Sequence, residues 1–168
     1  TDDYVRIEAI ESRLLLSATT FGPPNDLSLS HAGAYAVHAI DLDGDGDVDV
    51  LSASSTDGKI AWYENNGTGS FSAQQVISTA ADSVMSLHAA DLDGDGDPDV
   101  LLATYGSDPD SEDKISWYEN DGSGSFSAQR VISTATSGVT SVYAADLDGD
   151  GDLDVLSASG YDDKIAWY

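Results

Sequence analysis

Apolar residues along this chain come in runs of five to seven, separated by clusters of Gly, Asn, Ser, Thr and Asp. Tyr35 to Ile40, Val48 to Ala53, Lys59 to Tyr63 and Phe71 to Ile77 are the first four such runs. β-Branched and aromatic residues dominate them, and none holds a helical period long enough to make a helix. The pattern predicts an all-β chain of short strands joined by turns.

The runs recur. Asp41-Leu-Asp-Gly-Asp-Gly-Asp-Val-Asp49 returns 50 residues later as Asp91 to Asp99, and 55 residues after that as Asp146 to Asp154. A period near 50 marks stacked supersecondary units. The five additional residues fall between Tyr105 and Asp113, where Gly106, Pro109 and four acidic groups predict a lengthened loop. Lys59 to Thr79 and Lys114 to Thr134 differ at only four of 21 positions, so one unit has been duplicated. Phe21 precedes Asp41 by the same 20 residues that separate Phe71 from Asp91 and Phe126 from Asp146. Phe21 to Ser30 therefore occupies the place of a fourth strand, which could complete the last unit, although Pro23, Pro24 and Asp26 depart from the other copies. The predicted domains are an N-terminal segment, 1–20, and three repeats over 21–168. A permuted strand of this kind is how ring-closing β-propellers hide their edge strands.

The Asp-rich segments carry the chemistry. Carboxylates at relative positions 1, 3, 5 and 9, a carbonyl at 7 and a turn-forming Gly at 6 place hard oxygen donors around one centre, which suits Ca²⁺. The carboxylate ligands of the first copy are Asp41, Asp43, Asp45 and Asp49, with Asp47 giving its carbonyl. Asp91, Asp93, Asp95 and Asp99 with Asp97 form the second set, and Asp146, Asp148, Asp150 and Asp154 with Asp152 the third. Carboxylates about 4 Å apart repel by several kcal/mol per pair even at an effective dielectric near 20, and a cation removes that penalty. Solvated acidic turns are the competing reading, and three identical copies weigh against it. An EF-hand needs Glu at position 12, where this chain has Ser52, Leu102 and Ser157.

Charge and composition narrow the functions. The 168 residues hold 31 Asp and Glu against six Lys and Arg, a net charge of −25, which repels nucleic acid and anionic lipid. Forty per cent of the residues are hydrophobic, enough for a core. There is no Cys, which removes disulfides and thiolate sites, and no apolar run near the ~20 residues that cross a bilayer. No ordinary secretory signal is visible in Thr1 to Glu11, and a chain starting at Thr points to a processed form or an excised piece.

The three Asp loops, with the following D-V-L-S-A-S and K-I-A-W-Y-E-N strands, resemble the FG-GAP/VCBS-type repeat over about Phe21 to Tyr168. The blades of integrin-α-like propellers carry a Ca²⁺ loop, D-x-D-x-D-G-x-x-D, between their first and second strands. The resemblance implies four-stranded antiparallel blades of a β-propeller with about one Ca²⁺ per repeat, three per chain. Such rings usually hold seven blades, so three repeats imply a partial ring, either part of a longer array or a homo-oligomer that completes it. Ile10-Glu-Ser-Arg-Leu-Leu-Leu-Ser-Ala18 is similar to the LEPR-XLL motif of large bacterial exported proteins, with Ile10 and Ser12 departing from it. That likeness implies an extracellular or cell-surface setting. A short amphipathic helix over Tyr4 to Leu16 is the other reading of the same residues.

The remaining residues read as structural. His38 and His88 precede their loops by three residues, and Tyr143 stands there in the third copy, so strand packing is the better account than catalysis. Trp62, Trp117 and Trp167 read as filling between blades rather than as sugar platforms. Lys59, Lys114 and Lys164 read as compensating adjacent acidic turns. No nucleophile elbow, phosphate loop or free carboxylate pair is present, so no enzymatic activity is expected. The function expected is a structural or adhesive calcium-binding module with a protein or glycan ligand. The alternative is the substrate-binding portion of a larger secreted polysaccharide-active enzyme. Tyr105 to Asp113, the one loop unlike its siblings, is the expected determinant of specificity.

Overall fold

Half-buried runs of this length pair as antiparallel strands wherever a short turn returns the chain. A computed structural model describes residues 23–27, 32–106 and 112–168, and eleven strands over them form three antiparallel sheets. The first unit is β1 (Ala34–Ile40), β2 (Asp49–Ser54), β3 (Ile60–Tyr63) and β4 (Gln75–Ser78), paired in that order. The second repeats it as β5 (Ser83–Ala90), β6 (Asp99–Tyr105), β7 (Lys114–Tyr118) and β8 (Arg130–Ser133). The third has β9 (Val139–Ala145), β10 (Asp154–Ser159) and β11 (Lys164–Trp167). All-β architecture with blade-like sheets is thus as expected. Successive first strands run side by side, β1 beside β5 and β5 beside β9, and the row does not close on itself among the described residues.

The middle sheet buries one face on the first and the other on the third. Leu42, Leu51, Ile60 and Trp62 of the first unit pack against Val84, Leu87, Val100 and Leu102 of the second. Leu101, Ala103 and Ile115 of the second pack against Val139, Val142 and Val155 of the third. β6, covered on both sides, therefore reads Val100-Leu-Leu-Ala103 with none of the four exposed. Burying a side chain such as Leu42 contributes about 1.5–3 kcal/mol.

Four expectations are modified. The fourth run does not pair from Phe71 onward: Phe71 makes an isolated bridge to Asn65, and β4 begins only at Gln75. Ser72 causes the break, since its N–H donates to Glu64 O while its hydroxyl accepts from Glu64 N and donates to Ala73 O. Within Phe21 to Ser30, the described residues, 23–27, form no strand and are exposed, in keeping with the fixed φ and missing N–H of Pro23 and Pro24. Among the described residues the third sheet has three strands. Trp62 is buried and Trp117 half-buried, as filling between units demands, but Trp167 is 56% exposed. The LEPR-XLL-like segment lies outside the described residues.

The charge compensation read at the three lysines holds for two of them. Lys59 pairs with Asp57 at 3.3 Å and Lys164 with Asp162 at 2.9 Å, whereas Lys114 reaches Asp82 at 3.8 Å.

Candidate metal centres

The three Asp loops connect the first strand of each unit to the second, closed by the facing pairs Ile40 with Asp49, Ala90 with Asp99 and Ala145 with Asp154. Asp, Asn and Gly suit such a turn because short acidic side chains accept from nearby backbone N–H groups. Asp41 accepts from Gly44 N and Gly46 N, both at 2.9 Å, Asp43 from Asp45 N, and Asp45 from Asp47 N. The same bonds recur at Asp91, Asp93 and Asp95, and again at Asp146, Asp148 and Asp150. Gly46, Gly96 and Gly151 at position 6 hold φ of 93°, 101° and 101° with open space around them, so backbone conformation and not crowding demands glycine. Gly44, Gly94 and Gly149 at position 4 are equally left-handed, a requirement that reasoning from position 6 alone does not reach.

The position-9 carboxylates fasten the loop ends. Asp49 accepts from Leu42 N at 2.9 Å and from Asn65 N at 2.8 Å. Asp99 does the same with Leu92 N and Asn120 N, and Asp154 accepts from Leu147 N. Asp49 and Asp99 are wholly buried. Burial pushes the Asp99 carboxyl up to about 6, against the pull of its two N–H donors, and Asp93 and Asp95 add repulsion. Asp49 is raised by burial, with Asp45 and Asp41 adding to it. Asp43 and Asp93 are raised in the same sense, again by desolvation first and then by neighbouring carboxylates.

One oxygen each from Asp41, Asp43 and Asp45 lie within 4.8 Å of one another, as do those of Asp91, Asp93 and Asp99, and of Asp146, Asp148 and Asp154. Each loop therefore gathers three of its four expected carboxylates, omitting position 9 in the first copy and position 5 in the others. The side chains of Asp47 and Asp97, whose expected donor is the carbonyl, rest against Gly67 and Gly122, where a Cβ would meet them at 2.4 and 2.3 Å. Asp152 continues the backbone bond of the third loop to Asp150. Carboxylate clusters short of positive partners fit a hard divalent cation of the Ca²⁺ kind, and the donors in each are all oxygen.

Asn120 was not singled out in the sequence. Its side-chain amide donates to Pro98 O beside its own loop at 3.0 Å and to Leu42 O in the loop of the preceding unit at 2.7 Å. Asn65 makes the first of these contacts, to Val48 O at 3.0 Å. The repeated W-Y-E-N ending of the third strand was the available signal.

Comparison with known proteins agrees with the repeat. The FG-GAP-like repeat matches twice, over residues 41–102 and 96–157. Each match runs from one Asp loop through the second strand of the next unit, and residues 1–40 lie outside both. No curated protein matches the chain. Among solved structures, that of a V. cholerae biofilm matrix protein is 20% identical with a TM-score of 0.40, the match covering 79% of this chain and 26% of that one. Among the described residues no helix is long and apolar enough to cross a membrane.

Proposed function

The chain belongs to the FG-GAP-like repeat family, and from that premise we propose that it is a calcium-stabilised structural or adhesive module of an extracellular or cell-surface protein. The observation that carries the reading is the same hydrogen-bonded carboxylate loop at three equivalent turns, each gathering three Asp oxygens within 4.8 Å. Asp41, Asp43, Asp45 and Asp49 with the Asp47 carbonyl would hold one cation, and the matching residues of the other loops one each. The ion would supply the positive charge that the clustered carboxylates lack. The chain's own part is to pre-form the loops through Asx-type bonds and left-handed glycines, so that little ordering remains to be done on binding. Millimolar calcium outside the cell is enough to fill sites of modest affinity.

The sheets are blades of a β-propeller in this reading. The exposed outer faces, Val37 on β1 and Ile165 on β11 at 73% and 85%, are where further repeats or a second copy would continue the ring.

Calorimetric titration tests the metal assignment. Three Ca²⁺ equivalents are expected, with Asp43→Ala, Asp93→Ala and Asp148→Ala each removing one. Unchanged stoichiometry in these variants overturns the ligand set.

A further inference from the structure

The end of the sheets opposite the Asp loops holds a cleft at each junction between units, formed by the turn after the second strand and the link into the next unit. At the first junction the cleft is about 470 Å³ and lined by small groups including Ser55, Thr56, Ala81 and Asp82, none of them aromatic. At the second, the same register positions carry Tyr105, Gly106, Thr136 and Ser137, with Glu112 beside them and Tyr161 entering from the third unit. This cleft is about 280 Å³, and beyond the two tyrosines it continues into an apolar hollow of about 140 Å³ that includes Met85 and Val139. Ser55 and Gly160 stand where Tyr105 does, and Thr56 and Gly106 where Tyr161 does, so the aromatic pair belongs to this junction alone.

Contacts with the backbone and with each other place the pair. The Tyr161 ring lies on Gly138, where a Cβ would meet three ring carbons at 2.6–3.0 Å, yet the residue is 75% exposed. Tyr105 stands edge-on to it, with ring centres 6.3 Å apart and planes at 84°. Asp113 fixes the walls by accepting from Gly106 N on one side and from Gly138 N and Val139 N on the other. Tyr161 N donates to Ser137 O at 3.0 Å. Thr136 lines the cleft, its Oγ1 buried and without a hydrogen-bond partner among the described residues, and at the first junction its position is Ala81.

We propose that this cleft binds a neutral pyranose sugar. The exposed Tyr161 ring stacks on the C–H face of the sugar, and Ser137 and Glu112 exchange hydrogen bonds with its hydroxyls. Glu112 and Asp113, which line the cleft, repel uronic acids and phosphorylated sugars. The proposal rests on the reading of the chain as an adhesive module and gives it a ligand class.

The test is binding of the chain, in calcium, to arrayed oligosaccharides of glucose, galactose, mannose and N-acetylglucosamine beside uronic-acid oligomers, followed by calorimetry with the best binder. A neutral oligosaccharide should bind, Tyr161→Ala should weaken it by about tenfold or more, and Tyr161→Phe should retain it. Thr56→Ala, in the polar cleft, should leave it unchanged. The calcium stoichiometry of every variant is measured alongside. Tyr161-dependent sugar binding by a chain that takes up no calcium supports the cleft and defeats the metal reading. Normal calcium uptake with no neutral sugar bound, full affinity in Tyr161→Ala, or preference for uronic acids or a proline-rich peptide overturns the cleft proposal and leaves the metal reading standing.

Discussion

The two junctions between units are built from nearly the same residues and are packed differently. At the first, Leu42 and Ile60 are fully buried, Trp62 is 2% exposed, and Asn120 ties the following unit to Leu42 O. At the second, Ile115 is buried, but Leu92 and Trp117 are only partly covered, and Arg130 lies over the Trp117 ring at 5.0 Å. Leu147, the third copy of the same leucine, is 48% exposed. The difference lies in what the next unit brings. Trp62 is enclosed because Gly124 and Phe126, from the connection after β7, lie over it. In a repeat protein a residue's energetic weight belongs to the pair of units and not to the residue.

The largest test of that contrast is Leu42→Ala beside Leu147→Ala. The first should cost about 3 kcal/mol or more and the second about 0.5 kcal/mol in urea denaturation; equal costs would break the comparison. Next comes the amide linking the units. Asn120→Ala leaves Leu42 O and Pro98 O without that donor and should cost about 2–3 kcal/mol, whereas Asn65→Ala, with one such contact, should cost about 1 kcal/mol. The smallest effect is that of pH. His38 and His88 meet across the first junction with ring centres 4.9 Å apart, while at the second His88 meets Tyr143 at 4.5 Å. Burial lowers both histidines from their ordinary 6.5, and His38 lowers His88 further. The unfolded chain then binds more protons than the folded one as pH falls through 6.5, so this contribution is complete above 6.5 and is lost below it. Asp99, whose carboxyl is raised to about 6, gains its proton first in the folded chain and acts in the opposite sense, so the histidine contribution is read as a difference: below pH 6.5 the melting temperature of the parent chain should fall relative to that of His38→Gln, and a constant difference would show that the histidine pair does not control it.

Much of this architecture was legible in the chain. Alternation and turn residues marked the strands, and the identity of three Asp loops located three clusters, because local bonding from Asp to backbone N–H is written in consecutive residues. What was not legible depends on neighbours in space. Nothing near Asn120 shows that it reaches Leu42, 78 positions away, and nothing near Trp167 shows that it differs in burial from Trp62. Phe71 carried strand composition, yet the Ser72 hydroxyl drew the backbone out of register. Tyr105 and Tyr161 were 56 residues apart and acquired meaning only once the second and third sheets brought them together.

The Asp loops and the tyrosine cleft sit at opposite ends of the same strands. β6 spans seven residues, about 23 Å at the rise of an extended chain. That is more than twice the Debye length of about 8 Å at physiological ionic strength. At that separation the salt in the surrounding water uncouples the two ends: ions gained or lost at the exposed loops leave the potential at the exposed cleft almost untouched, and substitutions at the cleft are free to accumulate without disturbing the charge balance of the loops.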